Sequence, residues 1–250
     1  MFTATGSQLR DIEFSLFELN DYEKQLRAYS QFAEVDDELI RAVLARAEEF
    51  ARTVLAPINR SGDREGAHWD NGRTIVPAGF HEAYQQYVEE GWPALQFGED
   101  IGGQGLPMSL SIAVWEFMQT ANMGWCQCAS LGESAAVTIS HHGSDEQKKL
   151  FLPKLVSGEW AGTMNLTEAH CGSDLGLLRT RAEPQVNNEG QADGSYRING
   201  SKIFITSGEH DFTDNIIHLV LARLPDAPPG VKGISLFIVP KFLVNADGSL

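Results

Sequence analysis

Two short stretches of this 250-residue chain concentrate the groups from which chemistry could be built. The first, Met164-Asn165-Leu166-Thr167-Glu168-Ala169-His170-Cys171-Gly172-Ser173-Asp174, reads as a strand end entering a polar loop. Hydroxyls and backbone N–H groups gathered at one strand end can hydrogen-bond a flat heterocycle or a phosphate without net positive charge. A loop in which Ser173 and Asp174 satisfy their own turn accounts for the same residues. The second stretch is Lys202-Ile203-Phe204-Ile205-Thr206-Ser207-Gly208-Glu209. On a strand, Phe204 and Thr206 project from one face, an aromatic plate beside a hydroxyl. That pair suits a flavin, whose ring can pack on the aromatic while the hydroxyl donates to the nitrogen that accepts hydride. A core phenylalanine next to a surface threonine is the plain alternative.

Other chemistries find little support. Cys126, Cys128 and Cys171 are an odd number, which argues against a disulfide framework and for a reducing cytosol. The C-x-C pair lacks the second ligand pair of a zinc site, and no metal is expected. His141 and His142 point about 100° apart on a helix, which suits solvation or capping. Gly102-Gly103-Gln104-Gly105 has neither a preceding strand nor dinucleotide spacing and reads as a turn. No nucleophile elbow is present. With 34 acidic against 19 basic residues and no basic run, the net charge of -15 disfavours nucleic acid and anionic lipid as partners. There is no apolar signal core and no membrane-spanning run, so a cytoplasmic protein is expected.

The elements that must position these stretches follow from periodicity. Apolar residues from Leu39 to Leu55 recur on one helix face, and Pro57 is expected to end that helix. Phe80, Ala83, Tyr84, Tyr87 and Val88 mark a second helix capped by Gly91. A third helix follows Pro107, a fourth covers Ser134 to His141, and Ser144 with Gln147 forms a capping box for a fifth. Beyond Gly158 the period switches from helical to two, which places a domain boundary there. Asn199-Gly200, between Tyr196-Arg197-Ile198 and Lys202–Thr206, predicts a tight hairpin. Further strands are predicted at Ile216–Ala222 and Gly233–Val239. The last residues, Asn245 to Leu250, read as a turn opening toward another strand, and an unpaired sheet edge there would favour self-association.

Taken in order, several motifs resemble the FAD-dependent acyl-CoA dehydrogenase family over approximately Asp36 to Val239. They are Gly91-Trp92-Pro93-Ala94-Leu95, Glu99 to Pro107, Ser144-Asp145-Glu146-Gln147-Lys148, Leu152-Pro153-Lys154-Leu155, Gly158-Glu159, Asn165-Leu166-Thr167-Glu168, Gly172-Ser173-Asp174 and Gly200 to Thr206. Leu9-Arg10-Asp11, Phe14 and Ser207 to Asp211 look most like the branch that includes 3-methylmercaptopropionyl-CoA dehydrogenase.

The resemblance implies an α+β fold: an N-terminal extension over 1–35, an all-helical domain over 36–160, and an antiparallel β-barrel or sandwich middle domain over 161–250. That middle domain would be incomplete at its C-terminal end, with a helical domain beyond it. The resemblance also implies FAD against Met164, Leu166, Thr167, Ser173, Phe204, Ile205 and Thr206, with Ser173 touching the acyl-CoA as well. Phe204 stands where the family commonly has tryptophan, and Ala169-His170-Cys171 replaces the usual Pro-x-Ala. His170 reads as exposed filler. The family's catalytic base is a glutamate from the helical domain after the middle one, so no catalytic residue is assigned within these 250, and Glu168 reads as structural. The implied activity is α,β-dehydrogenation of an acyl-CoA, 3-methylmercaptopropionyl-CoA being one candidate, by a homodimer or homotetramer that passes electrons to electron-transfer flavoprotein. An acyl-CoA oxidase and a non-enzymatic nucleic-acid-binding flavoprotein of the same fold are the alternatives.

Overall fold

A computed structural model describes residues 6–187 and 189–250. Apart from a short two-stranded ribbon, the regular elements as far as Val156 are helical, and the main sheet begins at Trp160. After α1 (Gly6–Glu13) and α2 (Tyr22–Leu26), α3 (Asp37–Phe50) starts where the Asp36 carboxylate accepts from the Leu39 N–H at 2.8 Å. The helix does not stop at Pro57. It passes through a π-helical turn, Ala51–Leu55, into α4 (Ala56–Glu65), with the proline in the first turn. The wider turn takes up the register that a proline without an N–H would otherwise break.

Next come a two-stranded antiparallel ribbon, β1 (His68–Asp70) and β2 (Arg73–Ile75), and then α5 (Phe80–Glu89), closed by left-handed Gly91. The helical part is therefore not wholly helical. Met108–His142 forms one long element, α6, broken at Asn122, whose φ of -156° and ψ of 83° are non-helical. The break falls well before the Ser134 start expected for a fourth helix. The reciprocal Ser144–Gln147 capping box opens α7 (Asp145–Val156) as predicted.

The main sheet departs from the antiparallel expectation. β3 (Trp160–Asn165) runs parallel to β6 (Asn215–Arg223), and β7 (Ile234–Pro240) runs antiparallel along the other side of β6. β4 (Arg181–Val186) and β5 (Ala192–Asn199) form the hairpin, which joins β6 through the parallel pair Arg181–Arg223. The sheet is mixed, with β6 central and buried almost continuously, as a strand covered on both faces must be.

The tight hairpin at Asn199-Gly200 is overturned. Asn199 pairs with Arg181 as the last residue of β5, and residues 200–205 are not a strand. Gly200 is needed for a different reason than a turn, since a Cβ there would strike the Thr180 side chain. The real turn lies between β4 and β5, where the Asn187 carboxamide oxygen accepts from Glu189 and Gln191 and Gly190 takes a φ of 77°.

Two cores result. One fills the helical part around Phe50, Phe117 and Trp125 and takes in Phe212 from the far side of the chain. The other lies between the second arm of α6, α7 and the sheet, and includes Trp160, Ile217 and Leu219. On β3, a Cβ at Gly162 would collide with Ala135 of α6, so the strand that carries the first candidate stretch lies directly on that helix.

Candidate functional site

The first stretch begins where β3 runs out of the core. Trp160 to Thr163 are buried, and Met164 is 37% exposed. After half-buried Leu166 and Thr167, a tight turn is closed by the Glu168 N–H on the Cys171 carbonyl (2.8 Å) and the Cys171 N–H on the Glu168 carbonyl (3.0 Å). The turn directs the Glu168 side chain inward, where it is 4% exposed. Its carboxylate accepts from the Arg179 N–H (2.8 Å), the Thr180 N–H (2.9 Å), the Thr180 hydroxyl (2.5 Å) and Lys202 Nζ (3.0 Å). Burial alone would raise this carboxyl, but hydrogen bonds from Thr180, the two backbone N–H groups and Lys202 outweigh it and hold it down at about 2. The Glu168 carboxylate is thus occupied by four donors from within the protein.

Lys202 brings in the second stretch. The same ammonium that meets Glu168 also donates to the Leu166 carbonyl at 3.1 Å, and the Ile203 N–H donates to the Thr167 carbonyl at 2.9 Å. The two candidate segments therefore do converge, although not as strands of a hairpin. Phe204 has a left-handed φ of 55° and is 87% exposed, and Ser207 repeats that φ. A non-glycine residue held left-handed costs roughly 1–3 kcal/mol and needs surroundings that enforce it.

Those surroundings are the Lys202–Ile203 attachment on one side and, on the other, a contact of 2.9 Å between Ser207 Oγ and Cys128 Sγ on α6. Burial raises the Cys128 thiol to about 11, so the contact is between neutral groups. Phe204, Ile205 and Thr206 thus form a short bridge between two attachments. The common-face argument from strand alternation falls, because the chain here is not a strand.

Ser173 is exposed, and a Cβ built on its neighbour Gly172 would lie 3.4 Å from the Thr167 methyl, which puts this part of the loop beside Thr167. Arg223 braces the rest, donating from Nε to the Leu178 carbonyl and from Nη2 to the Gly176 carbonyl, both at 2.8 Å. Exposed His170 donates from Nε2 to the Leu177 carbonyl (3.0 Å). Glu168, His170 and Cys171 place ligand-type atoms within 4.8 Å of one another, but the carboxylate already serves four donors, Lys202 among them, and works as half of an ion pair.

Among the described residues, the Thr167, Ser173 and Thr206 hydroxyls have no hydrogen-bond partner. Thr163, Thr180 and Thr213 all spend theirs inside the protein. Three uncommitted hydroxyls with an exposed aromatic ring and the apolar Met164 suit a planar heteroaromatic ring with a polar edge. Lys202, Thr180, Arg223 and the Cys128–Ser207 contact were not assigned roles from sequence. Lys202 did carry a signal, as a charge at the head of the apolar run Ile203-Phe204-Ile205, but its partner stands 34 residues away.

A model of the acyl-CoA dehydrogenase N-terminal domain matches residues 37–159. The 3-methylmercaptopropionyl-CoA dehydrogenase of Ruegeria pomeroyi is 44% identical over 240 residues, which are 96% of this chain and 40% of that protein. The chain thus spans about two fifths of that relative's length. The structure of butyryl-CoA dehydrogenase from Megasphaera elsdenii superposes with a TM-score of 0.65 at 28% identity, over 83% of this chain and 49% of that one. A glutaryl-CoA dehydrogenase from Mycobacterium smegmatis, solved in complex with FADH2, shares the fold with a TM-score of 0.61 at 24% identity, over 86% of this chain and 48% of that one.

Proposed function

This chain belongs to the acyl-CoA dehydrogenase family, and we propose that its 161–250 region carries the FAD-facing wall of an enzyme that introduces an α,β double bond into an acyl-CoA thioester. The observation that carries the reading is the Ile203–Thr167 backbone hydrogen bond, which brings the two segments into one surface whose hydroxyls are free. Thr167 and Thr206 would hydrogen-bond the polar edge of the ring, Phe204 and Met164 would pack against it, and Leu166 and Ile205 would support it. Ser173 would meet both cofactor and CoA.

When bound, FAD supplies the hydride acceptor. The chain's own residues bind and orient it. The Glu168–Lys202 pair keeps its internal charges balanced, so the wall presents neutral donors to the ring. Removal of the α proton needs a carboxylate held close to the substrate in a dry cleft, and no residue of this chain is assigned that task. The relative from Ruegeria makes 3-methylmercaptopropionyl-CoA a reasonable first substrate, with electron-transfer flavoprotein as acceptor and a homo-oligomer as the working form.

The test is anaerobic reduction of the FAD-loaded, full-length protein. Bleaching of the flavin band by 3-methylmercaptopropionyl-CoA or butyryl-CoA, with reoxidation by electron-transfer flavoprotein, is expected. A protein that takes up no FAD, or whose flavin no acyl-CoA reduces, overturns the reading.

A further inference from the structure

Three residues beyond Ser207 and Glu209, His210 to Phe212, carry the chain from the bridge that presents Phe204 and Thr206 into the helical part. His210 is 2% exposed, and its Nδ1 accepts from the Phe212 N–H at 3.2 Å, folding the chain back on itself. Its Nε2 is buried with no partner among the described residues. Burial, with the nearby Lys241 charge, lowers the imidazole to about 4, so it is neutral at ordinary pH.

Asp211 accepts from the Val76 N–H (3.3 Å) and lies 3.2 Å from His81 Nε2 of α5. Phe212 is a member of the helical core: its ring stacks on Tyr84 at 5.2 Å with 7° between planes, and on Phe80 at 6.5 Å with 17°. The Tyr84 hydroxyl donates in turn to the Gly158 carbonyl at 3.0 Å, two residues before β3. One aromatic stack on α5 therefore touches the chain just before the first flavin-facing segment and just after the second.

We propose that Phe212, seated by the Asp211–His81 pair, is a positioning residue for the cofactor wall: the helical part sets where Phe204 and Thr206 stand. The inference rests on the FAD reading above for its function, and on the stacking geometry for its mechanism. A bridge that starts at left-handed Phe204 and ends against left-handed Ser207 is not part of a strand, so its shape is held from its ends. The Lys202–Ile203 end is fixed to the loop that follows β3, through Leu166, Thr167 and Glu168. Among the described residues, the other end is fixed through Ser207, Glu209, whose carboxylate takes Lys241 Nζ at 2.8 Å, and the 210–212 plug. Removing the ring loosens that end, and a shift of a fraction of an ångström is enough to misplace a catalytic hydrogen bond.

The experiment compares Phe212→Leu and the milder Asp211→Asn with Ile40→Ala in the full-length protein. Ile40 is buried in the same core on α3, which packs against α1 and α6. FAD affinity, the flavin visible spectrum and amide exchange over residues 203–207 are followed alongside melting. Phe212→Leu is expected to weaken FAD binding by about tenfold, to shift the flavin band and to speed exchange over 203–207, and Asp211→Asn to do the same to a smaller extent. Ile40→Ala lowers the melting temperature without these changes.

The proposal is overturned if Phe212→Leu and Asp211→Asn leave both flavin and exchange as in wild type, or if Ile40→Ala reproduces their effects. Should Phe212→Leu fail to fold, Asp211→Asn decides. A wild-type protein without FAD would sink the functional reading alone, because the exchange comparison needs no cofactor.

Discussion

Two buried glutamates, one in each half of the molecule, are held in opposite ways. Glu133, 6% exposed in the helical half, accepts from the Tyr87 hydroxyl (2.7 Å), Gln96 Nε2 (3.1 Å) and Trp115 Nε1 (3.1 Å). All three donors are neutral side chains, and burial raises the carboxyl to about 7 despite them. Glu168, in the sheet half, has the Thr180 hydroxyl, two backbone N–H groups and a cation, and sits at about 2. The helical carboxyl joins Tyr87 of α5, Gln96 and Trp115 of α6. The sheet-half carboxyl, with the Ile203–Thr167 backbone hydrogen bond, ties a loop to a bridge that is not a strand. Charge is spent where regular hydrogen bonding is absent.

The largest effect should come from breaking the sheet's pair. Lys202→Met leaves a buried carboxylate without its cation, and a loss of about 3–5 kcal/mol is expected in denaturant melts. A loss under about 1 kcal/mol would mean the backbone donors suffice and the contrast with Glu133 is empty.

pH should separate the two carboxyls next. The folded-state pKa of Glu133 is raised, so its contribution is fully present below about 4.5 and is lost as pH rises through about 7, a drift of about 3 kcal/mol. For Glu168 the folded value is depressed, so its contribution holds above about 4.5 and is lost as pH falls through about 2. Glu133→Gln can turn its NH2 to the Tyr87 oxygen and keep its carbonyl on Gln96 and Trp115. It should flatten the stability profile between pH 5 and 8, on the order of 1–3 kcal/mol. An unchanged slope would place the titration elsewhere.

The smallest effect on stability belongs to the exposed residues. Thr206→Val should melt within about 0.5 kcal/mol of wild type while slowing flavin reduction without abolishing FAD binding. Reduction at the wild-type rate would remove Thr206 from the wall. Sedimentation checks the edge: β5 and β7 each pair along one side only among the described residues, and self-association is expected for residues 1–250 in isolation. A monodisperse monomer would contradict it.

What the sequence revealed was what is local. The Ser144–Gln147 box, the Gly91 stop and the β-rich runs of β6 and β7 each rest on neighbours a few residues apart. Pro57 misled because a π turn upstream can absorb a proline. Asn199-Gly200 misled because glycine serves close approach as well as turns, and here it makes room for Thr180. The site segments were legible from a family likeness, yet their physical connection was not. Glu168 finds Lys202, β3 finds β6 in parallel, and Phe212 finds Tyr84 only through long-range packing that no periodicity encodes.

The central claim is that the segments around Thr167 and Thr206 form one wall for a flavin ring. A crystal structure of the full-length protein with FAD tests it most directly. The account predicts the ring lying along that surface, its polar edge within hydrogen-bonding distance of the Thr167 and Thr206 hydroxyls and Phe204 against it. A ring bound elsewhere, out of reach of both hydroxyls, would contradict it.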